Sequence, residues 1–204
     1  CNLIMKEADN GMNQVLVNRP VLEEYIRRQY PGFKLISSTT KRITGLDGLL
    51  EELNKDYFLV VLDYDLNHNE EVLSAIGKQA DKVEILVNEI CYPGCPKRSE
   101  HYRQQSQMQL EYDIDTAFPC PNKTRERKFE ECKERPSFIS REQIREYEDR
   151  GFVNFKIVGR GMPMDFVKES YLYYLVKDDS RAFIRNKMES TLNQFAQAMQ
   201  KRKA

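Results

Sequence analysis

The chain has 204 residues, with 32 basic and 32 acidic side chains and a formal net charge of zero. That balance argues against a protein that coats nucleic acid, no apolar run approaches the ~20 residues of a membrane span, and the length suits one domain with its own core or most of an α/β barrel. Five cysteines without the spacing of a small disulfide-stapled domain suit a reducing compartment, so the expected location is the cytoplasm, with no membrane partner.

The sequence starts at Cys1 rather than at a methionine. A lipid-anchored mature protein would also begin with cysteine, but Leu3, Ile4 and Met5 follow at once where a polar tether would be expected. An earlier part of the domain is therefore expected to be absent, and Cys1 is either a further thiol of the site or a fragment end. From there the pattern alternates. Gln14 to Asn18 reads as a short strand, and Pro20 opens a helix through Val21, Leu22, Tyr25 and Ile26. Phe33 to Thr40 reads as a second strand with a hydroxyl-rich end, followed by a helix marked by Leu46, Leu49, Leu50 and Leu53. Tyr57 to Asp63 is a third strand closed by a carboxylate, and Glu70 to Gln79 the next helix.

The fourth strand, Val83 to Val87, is apolar and β-branched, as a strand buried on both faces should be. It runs into Asn88, Glu89, Pro93 and Gly94, which make a turn and leave Cys91 and Cys95 in a loop beyond its carboxyl end. A helix is expected to start near His101. The segment from Asp113 to Pro136 shows no strand or helix period and holds Cys120 and Cys132. Phe138 to Arg150 reads as a helix with Ser140 as its N-cap and Gly151 as its stop. Asn154 to Val158 is the fifth strand, leading to Gly159-Arg160-Gly161. A helix carrying Phe166, Val167, Tyr171 and Leu175 follows, and 178–204 reads as one amphipathic helix. Repeated strand-helix units of this spacing predict a parallel α/β fold, and five strands are too few to close an eight-stranded barrel. The expected division is a barrel-like domain over 1–177 and a terminal helix over 178–204.

Two thiols four positions apart in a Pro-Gly loop can face one centre, and Cys120 and Cys132 are the candidates to complete it. Four thiolates from two loops suit a tetrahedral zinc or a four-cysteine iron-sulfur cluster, and residue types do not separate the two. A radical-SAM cluster loop is excluded, because the position of its third cysteine is Arg98, and no CxxC pair of a zinc ribbon is present. Around the thiols, Asp63 and Glu89 at strand ends and His101 are the candidate catalytic groups. Lys156 and Arg160 are candidates for binding an anionic substrate, with pairing of Arg160 to Asp63 or Glu89 as the structural alternative. His68, in Asn-His-Asn, is expected to have no role.

The run Asn88-Glu89-Ile90-Cys91-Tyr92-Pro93-Gly94-Cys95-Pro96-Lys97-Arg98 followed by His101, with the later Phe155-Lys156-Ile157-Val158-Gly159-Arg160, resembles the peptidase U32 family of collagenase-like (YhbU-like) proteins. The resemblance extends from about Val15 to Lys177. It implies a TIM-barrel-like domain, the legacy activity of a peptidase, and in other members a [4Fe-4S] cluster used in oxygen-independent hydroxylation of ubiquinone precursors or RNA bases. On that model Cys91, Cys95, Cys120 and Cys132 would be the ligands, and a small molecule or RNA base the substrate. The family commonly has Lys-Ile-Glu-Gly-Arg, whereas Val158 occupies the glutamate position here, so no role of that carboxylate carries over. The sequence lacks both the HExxH helix and the GxSxG elbow of well-known hydrolases. Three readings stand: a cluster-dependent enzyme, a peptidase, and a non-catalytic binding protein with a structural zinc.

Overall fold

The computed structural model describes residues 2–112, 118–120 and 127–201. Five parallel strands, β1 (Gln14–Val17), β2 (Lys34–Ser37), β3 (Leu59–Val61), β4 (Val83–Leu86) and β5 (Asn154–Lys156), form one sheet in sequential order. Between them and around them lie α1 (Asn2–Ala8), α2 (Pro20–Gln29), α3 (Leu46–Leu53), α4 (Glu70–Ile76), α5 (Arg98–Glu111), α6 (Phe129–Lys133), α7 (Arg141–Asp149), α8 (Met164–Leu175) and α9 (Arg181–Lys201). No helix among the described residues is long and apolar enough to cross a membrane.

Side chains alternate between the two faces of a strand, and this sheet uses both. Val17, Leu35, Val60, Leu62, Val83, Ile85 and Val87 share one core with Ile26 of α2, Leu49 and Leu53 of α3, Val72 and Leu73 of α4 and Tyr147 of α7. The alternate residues Ile36, Leu59, Val61 and Leu86 form a second, smaller cluster with Val158. Helices α2, α3, α4 and α7 thus share one core with a sequentially ordered parallel sheet, as repeated strand-helix units require. Among the described residues the sheet is open, not the barrel expected from the resemblance: β1 and β5 each have a single neighbour. Burial of each large aliphatic side chain in the main core contributes about 1.5–3 kcal/mol.

The strands are shorter than their apolar runs because polar residues at their ends cap turns. Ser38 accepts a hydrogen bond from the Thr40 amide, so Thr39–Lys41 is a 3-10 turn rather than strand. Asp63 does the same for Tyr64–Leu66. The α4 helix stops at Ile76 and continues as the 3-10 segment Gly77–Lys82. Ser140 caps α7 in a reciprocal box with Gln143, as its sequence position predicts, and Gly151, with φ +93°, takes the left-handed turn after it. The segment 113–136 does contain a helix, α6, too short for a period to show in the sequence. The C-terminal helix α9 lies along α8, held by Lys168 to Glu189 (2.9 Å) and Arg185 to Glu169 (2.6 Å).

One charge cluster in this scaffold is centred on a buried carboxylate. Glu52 of α3 is 3% exposed. Its Oε1 accepts from Ser37 and from Lys41, both at 2.5 Å, and its Oε2 from Lys55 at 2.8 Å. Lys41 also donates to the Tyr57 hydroxyl (2.7 Å), which donates in turn to Glu23. Burial alone would raise the Glu52 carboxyl, but these donors outweigh it and hold its pKa down at about 2.

Candidate cysteine-lined site at the strand ends

The end of β4 is fixed to the end of β5 by Asn88. Its Nδ2 donates to the Val158 carbonyl (3.0 Å) and to Ser170 Oγ (3.1 Å), and its Oδ1 accepts from the Val158 amide (2.6 Å). A residue that reads in sequence as a turn former is therefore a clasp that sets where Gly159 and Arg160 begin. Glu89 follows, buried. Its Oε1 accepts from the Cys91 amide (3.0 Å), its Oε2 from Arg98 Nη2 (3.2 Å), and its backbone carbonyl lies 3.7 Å from the Cys132 sulfur. Gly94, with φ +68°, turns the loop so that α5 can start at Arg98.

The four cysteines Cys91, Cys95, Cys120 and Cys132 are all free thiols. Cys91 and Cys132 are buried, while Cys95 and Cys120 are partly exposed. Burial pushes the Cys91 thiol up, and Glu89 and neighbouring Cys95 add to the shift against the pull of Arg98. Burial and Glu89 push Cys132 up to about 12. Both are neutral thiols at neutral pH in this structure.

Beyond the strand ends lies a cavity of about 190 Å³ lined by Glu89, Cys91, Arg98, His101, Cys120 and Arg160, together with Tyr102, Arg127, Glu131 and Arg135. It brings together two of the three expected catalytic groups, one of the two expected substrate-binding residues and thiols from both segments. His101 stacks on Phe118, centroids 4.5 Å apart and planes at 9°. Burial, then the charges of Arg98 and Arg127, lower its pKa, so the imidazole is neutral at neutral pH. A larger cavity of about 740 Å³ runs along the opposite ends of β2 to β5, past Lys34, Phe58, Lys82 and Asn154, and has neither thiol nor imidazole in its wall.

In kind, these donors fit a thiolate-bound metal centre: four reduced thiols, with Arg98 near Cys91 and Arg135 near Cys132 to offset the charge ligation would create. They do not converge. Among the described residues, no three of His, Cys, Asp and Glu come together where a metal ion could be held.

Other expected residues sit elsewhere. Asp63, 2% exposed, is gripped by Arg42 Nη1 at 2.6 and 2.7 Å and does not line the cavity; burial raises its pKa. Lys156 pairs with Glu84 at 2.8 Å and does not line it either. The alternative partners expected for Arg160 are corrected: Arg42 holds Asp63 and Arg98 holds Glu89, while Arg160 is exposed. His68 bonds the Phe138 carbonyl (2.9 Å), a packing role. Cys1 lies outside the described residues.

Residue types missed Arg98 and Arg135. Arg98 is noticed in the sequence only as the residue standing where a third cysteine is absent. It is 8% exposed and lies over the rings of Tyr64 (5.2 Å) and Tyr102 (4.3 Å). Arg135 is 6% exposed, lies 3.9 Å from the Tyr92 ring centroid, and donates through Nε to the Ile90 carbonyl (2.9 Å). The one available signal was their position, close to cysteines in a polar run.

No family model matches the chain, and no solved structure matches it. Among curated proteins it is similar to one named "Uncharacterized protease MJ1657" from Methanocaldococcus jannaschii, 27% identical over 181 residues, covering 85% of this chain and 53% of that protein. The chain thus spans about half the length of the curated relative it matches. That relative's name agrees with the legacy peptidase label of the family that the cysteine-loop and fifth-strand motifs resemble.

Proposed function

We propose that this chain is the metal-bearing part of a U32-like enzyme, with Cys91, Cys95, Cys120 and Cys132 as ligands of a [4Fe-4S] cluster and the adjacent cavity as the place for substrate. The observation that carries this is that thiols from two separate segments, Cys91 after β4 and Cys120, line one cavity with Glu89 and His101. Bound there, a cluster would supply one-electron chemistry of the kind used in oxygen-independent hydroxylation of a small molecule or an RNA base. Glu89 holds the Cys91 amide and so sets the loop, while Arg98 and Arg135 favour the thiolate forms. His101, neutral and half-buried, accepts a proton from a group placed in the cavity. Ligation releases the protons of Cys91 and Cys132, so assembly is favoured as pH rises.

A peptidase is the second reading, favoured by the relative's name. Its nucleophile would be Cys120, which shares the cavity with His101; Cys91 and Cys132, raised by burial, are poor nucleophiles at neutral pH. Protein purified without oxygen, assayed for iron, sulfide and zinc and for visible absorption, separates the readings. About four irons and four sulfides per chain, lost in the Cys91→Ala/Cys95→Ala variant, is the expected result. Zinc alone would replace the cluster with a structural site, and peptide hydrolysis that persists without any metal would establish the peptidase.

A further inference from the structure

We infer that the arginine-lined wall of this cavity is an oxyanion subsite, and that the substrate presents a carboxylate or phosphate to Arg98 and Arg135. The inference names the substrate class for the site proposed above and rests on that reading for the cavity being where substrate binds.

Four guanidinium groups, of Arg98, Arg127, Arg135 and Arg160, line the cavity against two carboxylates, Glu89 and Glu131. Glu89 is already used by the Cys91 amide and by Arg98 Nη2. After that bond Arg98 Nε is buried with no hydrogen-bond partner, and so is Arg135 Nη2. Both residues are more than nine-tenths buried. Buried donors are almost always satisfied, so two such nitrogens on one wall call for an acceptor from outside the chain. Arg98 lies over the rings of Tyr64 and Tyr102, and Arg135 over that of Tyr92, which limits how far either guanidinium can move; the donors of a guanidinium lie in one plane and match an oxyanion. Glu131 Oε2 is a buried acceptor without a partner on the same wall, which suits an anion that also carries a hydroxyl. His101 stays neutral beside Arg98 and Arg127, so no further cation crowds the anion.

The test is calorimetric titration of the anaerobically purified protein, at constant ionic strength, with inorganic phosphate in one arm and malonate in the other. Saturable binding of at least one anion at one site per chain is expected, and the preferred arm tells phosphate from carboxylate. Arg135→Gln should weaken it about tenfold or more, the loss of a charge-assisted hydrogen bond. Arg160→Gln should also weaken it; Arg160 is exposed, so that variant decides the matter if the first fails to fold. Arg150→Gln, at a residue that caps the end of α7, pairs with Glu70 (3.2 Å) and does not line the cavity, should bind like the parent. Absence of saturable heat with either anion, or unchanged affinity in folded Arg135→Gln and Arg160→Gln, overturns the subsite. A protein that binds the anion but carries neither iron nor zinc overturns the metal reading and leaves the subsite standing. One with four irons that binds neither anion does the reverse.

Discussion

Two groups of buried charge sit on the same sheet and are finished differently. Around Glu52, both carboxylate oxygens, the Lys41 ammonium and the Tyr57 hydroxyl all have partners, drawn from α2, the end of β2 and the turn after it, α3, and the loop between α3 and β3. Around Glu89, Arg98 and Arg135 each keep a buried nitrogen without a partner, and Glu131 a buried oxygen. The first group satisfies its own members and serves the fold. The second leaves hydrogen-bonding capacity on residues that line a cavity, which is what a binding site needs before its ligand arrives. Substitutions should therefore separate the two regions, costing stability in one and binding in the other.

The largest effect is expected from Glu52→Ala. It strips three donors of their acceptor and leaves Lys41 buried at about 15% side-chain exposure without its main counter-ion. Breaking a buried pair on one side costs about 3–5 kcal/mol, so urea unfolding should shift to a much lower midpoint at unchanged slope. A loss under about 1 kcal/mol would show that the cluster is no anchor. The same contrast can be drawn by pH. Glu52 has a folded pKa of about 2 against an ordinary 4.5, so its contribution is complete above about 4.5 and is lost as pH falls toward 2. His101 is lowered from 6.5, so the unfolded chain takes its proton first, and stability declines already as pH drops below 6.5. Stability profiles of Glu52→Gln and His101→Gln should each lose one of these two limbs and retain the other.

Much of the scaffold was legible because its signals are local and redundant. The first four strands announce themselves by apolar stretches with β-branched residues, β5 by the Ile157-Val158 that follows it, and Ser140 and Gly151 mark the ends of α7 as the capping rules require. The site was legible in part. Cys91, Glu89 and His101 are near one another in sequence, and the end of a parallel strand is where chemistry gathers, so their meeting could be read ahead. Asp63 could not be placed, because its partner Arg42 comes from a 3-10 turn after a different strand, and only the folded sheet makes them neighbours. Arg135 was invisible for the same reason. Its guanidinium reaches the cavity from the end of α6, and a five-residue helix has no period to detect.

A smaller loss is expected at the joint between α8 and the strand ends. The Tyr174 hydroxyl lies 3.0 Å from the Val87 carbonyl and 2.9 Å from that of Ile139, within bonding reach of both. Tyr174→Phe keeps the ring in its aromatic cluster with Phe129 and Phe138 and removes only this link. A loss of about 1 kcal/mol in urea unfolding is expected. A loss nearer the Glu52→Ala value would move this joint from the packing of the site to the anchoring of the fold.

The smallest expected change in stability is the sharpest test of the contrast. Glu131→Gln replaces a carboxylate whose buried Oε2 has no partner by an amide of nearly the same shape. If the cavity wall is built for a ligand, nothing in the fold depends on that charge, and the unfolding midpoint should move by no more than about 0.5 kcal/mol. Removing a negative charge from a wall that carries four arginines also raises its positive potential, so phosphate should bind more tightly at low ionic strength, with the gain shrinking as salt is added. A loss of stability approaching that of Glu52→Ala would mean that Glu131 is a counter-ion the fold requires, and the two charge groups would then be of one kind.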